Sequence, residues 1–380
     1  MQEFDLPHIA YPRRDNMVRF LGGKLYTEKD LHGKANLVQL GLNQREIDFL
    51  SERPWWDLVL LYIQPYVDRI QDENDPFSAG LNDLDQMSLT DLLRRDGASS
   101  AAIQYAGGAS SAVQQLPSNE RNALQVIWNA AIKKLRGTPL LTKNLLRLVG
   151  GNQCMTDTFA ARLRERVRLG CPVLAIEHGA SGVRVRYREF GEEKTMEADH
   201  LVSCVSLVVL RQMPVTPRWT EDKNFIIQEM PDYTRTRVVF QSRTRFWNKD
   251  GVSPNWALPD PTLHDFWQMA DEVSTPRGIL IGGAEPTVTN PEAEATFHKL
   301  YPGKSADFEQ VFVHDWSKDP WAAACERITV KPGQLAKFWP KVTEPAGRIH
   351  FAGAYCANFS AGQEAALESG HRAADEIDQN

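Results

Sequence analysis

Long hydrophobic runs are missing from this 380-residue chain, and no stretch of eighteen consecutive apolar residues occurs anywhere in it. A membrane-spanning helix of ordinary length is therefore not expected. The opening segment, MQEFDLPHIAYPRRDN, has no apolar core of the kind a secretory leader requires. Cysteine is scarce as well. The five present (Cys154, Cys171, Cys204, Cys325 and Cys356) are odd in number and widely scattered. That pattern argues against a disulfide framework and for a reducing, cytoplasmic compartment. Among nine histidines there is no HExxH and no pairing with cysteine at metal-ligand spacing, so no metal site is expected. An excess of positive charge is also absent. With a formal net charge of −6 the chain has no broad electrostatic drive toward nucleic acid or anionic lipid, and neither is expected as a partner. The local cluster RLRERVRLG interleaves arginine with Leu and Val and reads as a solvated helix face.

What is there suits an ordinary globular protein, with 42% apolar and 24% charged residues. A chain of this length most simply buries its core as two intertwined domains. Up to residue 145 the pattern is mainly helical. LNQREIDFLSERPWWDLVLLYIQPYVDRI carries apolar residues at helical spacing, with interruptions expected at Pro54 and Pro65. In MSLTDLLRRDG, Ser88 suits an N-cap with Asp91 three residues on, and Gly97 suits a left-handed stop. SNERNALQVIWNAAIKKLRG repeats that sentence, ending at Gly137. Beyond residue 145 short apolar runs alternate with turn residues. In GVRVRYR, Val183, Val185 and Tyr187 point one way and the arginines the other, as in a half-exposed strand. LVSCVSLVVL is unbroken and reads as a strand covered on both faces. TRVVFQ, GILIGG and FEQVFVHDW are further strand candidates, and RIHFAGAYCANFSAGQEAALESGHRAADEI closes the chain as strand, glycine turn and helix.

Five of these segments, in order, resemble the flavin monoamine oxidase and L-amino-acid oxidase family: LVGGNQCMTDTFAARLRERVRLGCPVLAIEHGASGVRV, ADHLVSCVSLVVLRQMPVTP, YTRTRVVFQSRTRFW, WSKDPWAAACERITVKPGQ and the closing segment. The resemblance implies an α/β fold of two domains, a Rossmann-type FAD-binding domain and an α+β substrate domain. It divides the chain into 1–145 (mainly helical, substrate domain), 146–215 (FAD domain), 216–325 (substrate-domain sheet) and 326–380 (closing FAD-domain segment). It also implies oxidation of an amine or amino-acid C–N bond with FAD and O2. Val173 would offer its backbone to the adenine, Trp316 would stand beside the flavin, and Gly353 would admit the ribityl chain. Gly362, Gln363 and Glu364 would bring the helix N-terminus to the flavin's electron-rich edge. Cys325 has the spacing of the cysteine that bonds flavin covalently in mitochondrial members, and equally that of a small buried residue.

The departures from the family pattern are also specific. Arg237 falls where many members carry a lysine near flavin N5. A guanidinium stays charged and cannot serve as a tuned base, so Arg237 suits a carboxylate or flavin-charge partner instead. Glu326 and Gly362 or Gln363 fall where aromatic rings flank the amine, Ala354 replaces a glutamate, and Ser206 a proline. A small unhindered amine is therefore not the expected substrate. Above all, no GxGxxG lies between a strand and a helix. A Rossmann domain without that segment lacks a strand and the cradle for the diphosphate, and the chain alone is expected to bind FAD weakly or not at all. Three readings follow: a truncated flavin oxidase, one subunit of a split oxidase whose partner chain brings the missing unit, or a flavin-free descendant that binds ligands or catalyses non-redox chemistry.

Overall fold

The alternation in TRVVFQ becomes the strand Thr236–Ser242, whose burial switches residue by residue. Strict alternation of this kind is what a sheet with one face against a core requires. The computed structural model of the chain describes residues 4–11, 17–108, 116–138, 145–232, 234, 236–257, 262–323, 329–358 and 362–379. The chain forms two compact units: residues 1–28, 141–171 and 236–314 make the first, and 29–140, 172–235 and 315–380 the second.

A seven-stranded sheet dominates the first unit. Its order is Phe308–Asp315, Thr236–Ser242, Gly278–Ala284, Leu263–Met269, Trp256–Ala257, Val18–Leu21 and Lys24–Thr27. On one face Val238, Phe240, Phe266 and Leu280 pack with Phe297 and Tyr301 into a single core. The helix Asn290–Leu300 that supplies Phe297 is fixed at its start by a reciprocal capping box between Thr289 and Glu292. Gly282 has no choice of side chain, because a Cβ there would meet the Asp265 carbonyl at 2.2 Å. The opening 28 residues carry three short strands within a stretch that is otherwise helical, and His8–Tyr11 pairs antiparallel with Leu145–Leu148. In RLRERVRLG the helix Gln153–Leu163 ends just as the cluster begins, and Arg164–Arg166 form an exposed 3-10 turn.

In the second unit the helical motifs fold as their caps dictate. Ser88 accepts from the Asp91 amide at the start of Leu89–Arg95, and Gly97 follows at φ +83°. Asn122 caps Ala123–Leu135, with Gly137 at φ +64° beyond it. Pro65 does not interrupt its helix, contrary to expectation. It lies inside Leu60–Val67. The carbonyl four residues back, which proline leaves without an amide, belongs to Leu61 and accepts from Arg45 Nη2 at 3.1 Å. Glu192–Ala198, Gly182–Glu189, Val173–Gly179 and Val215–Thr216 build a four-stranded sheet in that order. Val183 and Tyr187 are buried as the alternation requires. The hairpin between the first two strands turns on Phe190, which is 96% exposed at φ +51°, a conformation bulky residues rarely adopt.

The run LVSCVSLVVL is not one long covered strand. Only Leu201–Ser203 is extended, and Leu207–Leu210 is a helical turn. Among the described residues the short strand pairs in parallel with Ile349–Phe351 and with no other strand, and Val202 is 37% exposed. Among the described residues no further strand flanks either member of this pair, and the outer edge of Ile349 makes a single bridge to Ala346. The apolar sequence that predicts coverage on both faces thus meets a sheet of two strands.

Candidate functional site

The strand Ile349–Phe351 delivers the chain into a turn that only glycine fits easily. Gly353 stands at φ +141°, where a Cβ would press on the Tyr355 ring at 2.8 Å. Its amide donates to Ser369 Oγ at 2.8 Å, and Ser369 Oγ donates to the Ala366 carbonyl. Ser369 belongs to the closing helix Gly362–Asp378, which buries Ala365, Ser369 and Ala373 at four-residue spacing. This stripe of small side chains lets the helix lie close to the strand exit.

The adjoining stripe of the same helix, Glu364, Glu368 and Arg372, lines a cavity of about 860 Å³ in the second unit. Arg136, at the end of Ala123–Leu135, spans its wall. It donates to Glu73 at 2.7 and 3.1 Å and, through both terminal nitrogens, to Glu368. Hydrogen bonds to Glu73 and then to Glu368 hold its pKa above the ordinary arginine value, against the pull of burial. Trp339 adds a flat apolar wall, with its indole N–H fixed on the Asn74 carbonyl at 2.8 Å. Asn358, 5% exposed, also lines the space, and its Oδ1 meets no donor among the described residues. A buried acceptor without a donor costs about 1–3 kcal/mol, so this wall is built to meet one.

Beneath the strand lies Lys223, 6% exposed, with its ammonium donating to the carbonyls of Lys341 and Glu344 at 3.1 and 2.6 Å and resting 4.5 Å from the Phe351 ring. Burial pushes its pKa down to about 8.

The residues singled out from the sequence fall in several places. Glu364 faces the cavity and Gly353 is tied to its rim through Ser369. Gly362 and Gln363 open the helix but are exposed and do not line the cavity. Val173 begins its strand opposite Tyr187. Trp316 sits in an exposed turn, Trp316–Lys318. Cys325 and Glu326 lie outside the described residues. Arg237 belongs to the first unit. There the register places it in a row that crosses the sheet through Gly283, Asp265, Ala257, Arg19 and Tyr26 on one face. Its guanidinium lies 5.8 Å from the Trp267 ring. Sequence reasoning missed Asp265, Arg19, Asn358 and the Arg136 bridge. The Arg136 bridge depends on partners far along the chain, whereas Arg19 pairs with Glu28 only nine residues on; an arginine inside the strand VRFL and an aspartate inside LHDFWQM were visible signals.

A parallel strand that exits through a bare glycine onto the start of a long helix is a unit of an α/β cofactor-binding fold. The chain belongs to the family of flavin containing amine oxidoreductases, whose model matches residues 125–378. It is 25% identical over 245 residues to the flavin-dependent L-tryptophan oxidase of Lentzea aerocolonigenes, covering 59% of this chain and 51% of that protein. It is 22% identical over 321 residues to the L-amino-acid oxidase of Notechis scutatus scutatus, covering 78% and 59% respectively. The chain thus spans little more than half the length of these relatives. Its fold is similar to that of cyclohexylamine oxidase from Brevibacterium oxydans, with a TM-score of 0.79 at 19% identity over 99% of this chain and 83% of that one. Putrescine oxidase bound to putrescine gives 0.80 at 18% identity over 99% and 84%.

The family implies FAD, and the described residues suit its two ends unequally. A flavin ring calls for donors, an acceptor and room for close approach. The helix opening at Gly362 and the Asn358 oxygen offer a donor end and an acceptor, whereas the space beside the bare Gly353 is taken by the Tyr355 ring. A diphosphate calls for a glycine-rich turn between strand and helix on a wider parallel sheet. Among the described residues the parallel pair has two strands, and Leu201–Ser203 leads into a four-residue helical turn, too short to present a helix dipole.

Proposed function

We propose that this chain is the larger part of a flavin-dependent amine or amino-acid oxidase whose nucleotide site is completed by polypeptide outside these 380 residues. The observation that carries the reading is that, among the described residues, the parallel pair has two strands, beside the bare Gly353 and the closing helix. Gly353, Gly362, Gln363 and Glu364 would hold the ring end of FAD, Val173 the adenine, and Trp316 would flank the ring. When bound, FAD would supply the two-electron acceptor for C–N oxidation, with O2 as the final oxidant. Arg237 would orient the substrate. Its fixed positive charge would suit a carboxylate, which favours an amino acid over a small bare amine; Arg19, in the same row, is already paired with Glu28 at 2.9 Å. Cys325 would be the point of covalent attachment if one forms. The widely spaced cysteines fit a reducing, cytoplasmic setting.

The test begins with the purified chain, mixed with FAD, gel-filtered and examined by visible spectroscopy. It is then repeated after co-expression with a GxGxxG-bearing strand–helix segment taken from a relative. Little flavin on the chain alone and a stoichiometric 450 nm band on the complemented pair are expected. A full band on the chain alone would refute the incomplete nucleotide site, and no band in either sample would refute flavin binding itself. A flavin-free binding protein is the second reading, favoured by the same missing cradle, and it is what the last outcome would leave.

A further inference from the structure

Two histidines distant in sequence meet at the start of the parallel pair. His350, 1% exposed on Ile349–Phe351, places Nδ1 2.8 Å from Glu376 Oε2 of the closing helix and Nε2 3.2 Å from His200 Nδ1. His200 Nε2 in turn lies 3.0 Å from Arg348 Nη1. Arg348 also donates from Nε to the Ala180 carbonyl at 3.2 Å, in the turn between Val173–Gly179 and Gly182–Glu189, and its own carbonyl accepts from the Leu201 amide at 3.0 Å.

The proton positions in this chain follow from elementary chemistry. A guanidinium has donors and no acceptor, so His200 Nε2 must present its lone pair. The His200 proton then sits on Nδ1 and is donated to His350 Nε2, which must also be a lone pair. The His350 proton is left on Nδ1, donated to Glu376. With one proton on each ring, both are held in the Nδ1–H form by a single terminal residue, Arg348. Other charged groups near the pair include Asp199, next to His200 in the chain, Arg372, which donates to the second Glu376 oxygen and to the Phe351 and Thr343 carbonyls, and Lys223 beneath Phe351. None of these touches a histidine nitrogen.

We propose that this relay is a proton-operated latch on the parallel pair. Every way of adding one proton breaks a contact. A proton on His200 Nε2 sets two N–H groups and two positive charges face to face at Arg348. A proton on His350 Nε2 sets N–H against N–H unless His200 moves its own proton from Nδ1 to Nε2, and that again faces Arg348. The arrangement that satisfies most groups has imidazolium at His350 between Glu376 and the His200 Nδ1 lone pair, with Arg348 expelled. The proton comes from solvent and binds His200 Nε2 as Arg348 leaves, while the His200 Nδ1 proton passes to His350 Nε2; no other covalent bond changes. Arg348 then leaves the Ala180 carbonyl, and the entry to the parallel pair loosens at Leu201.

The inference does not depend on flavin, and its test uses the full chain without cofactor. Long-range 1H–15N NMR correlation of the histidine rings near pH 8 should show His200 and His350 both in the Nδ1–H form. Either ring in the Nε2–H form would overturn the relay. On lowering the pH to about 5, across the range where histidine changes charge, the two rings should respond in one shared step. Leu201 and the Ala180 turn should lose hydrogen-exchange protection in the same step, by about tenfold or more after the intrinsic pH dependence is divided out. Two independent ring titrations, or unchanged protection at Leu201, would overturn the latch. In Arg348→Leu the rings should still titrate while the Ala180 turn no longer responds; a turn that still responds would show that Arg348 is not the moving part.

Discussion

Lys223 is a charged side chain placed where water does not reach, and its cost depends on pH in a definite direction. Below about pH 8 the lysine is protonated whether the chain is folded or not, and the folded state bears the full penalty of burying the charge. Between about 8 and its unfolded value of 10.5 the folded protein releases the proton first, so stability attributable to this group rises with pH across that window. The gap in unfolding free energy between the wild type and Lys223→Met should therefore move in favour of the wild type by on the order of 3 kcal/mol from pH 7.5 to 10.5, measured by denaturant titration. A gap that stays constant would show that the ammonium is solvated. Nothing in the sequence around Lys223 marks it as buried, because the two carbonyls that receive it lie 118 and 121 residues further on. Arg136 and His350 escape a linear reading for the same reason.

Elements were more legible than single residues wherever local chemistry decides them. Ser88 with Asp91 and Gly97 marks the bounds of Leu89–Arg95 because capping satisfies amides within one turn of the helix. Ser88→Ala should lower stability by about 1 kcal/mol, read from the urea midpoint at unchanged slope, and Ser88→Asp should not restore it, because the serine hydroxyl also donates to Asp91 Oδ2 at 2.6 Å, where a second carboxylate would be repelled. Local rules failed where a distant group intervened. Pro65 reads as a break, and Arg45, twenty residues earlier, keeps the helix intact by taking the orphaned carbonyl. LVSCV reads as a covered strand, yet its coverage would have to come from neighbours that the described residues do not include.

At the scale of the molecule, family and fold class were recoverable from five ordered motifs, since strand, turn and helix patterns survive at identities near 20%. The cavity was not, because its wall joins Glu73, Arg136 and Glu368 across almost 300 residues of sequence. Its lopsided provision for FAD has a measurable consequence. Riboflavin, which has the ring without the diphosphate, should raise the melting temperature of the chain as much as FAD does at equal concentration. A clearly larger shift with FAD would place a phosphate or adenine site within these residues.

The hairpin that turns on Phe190 offers a bulky aromatic at its outermost point, with Gly191 beside it. Chymotrypsin should cut there before it cuts elsewhere in the second unit. The two strands on either side are matched residue for residue from Val183 with Ala198 to Glu189 with Glu192, and Arg184 bridges to Glu197 across them. A nicked molecule should therefore migrate whole on a native gel and part only in detergent, a polypeptide in two pieces that still behaves as one.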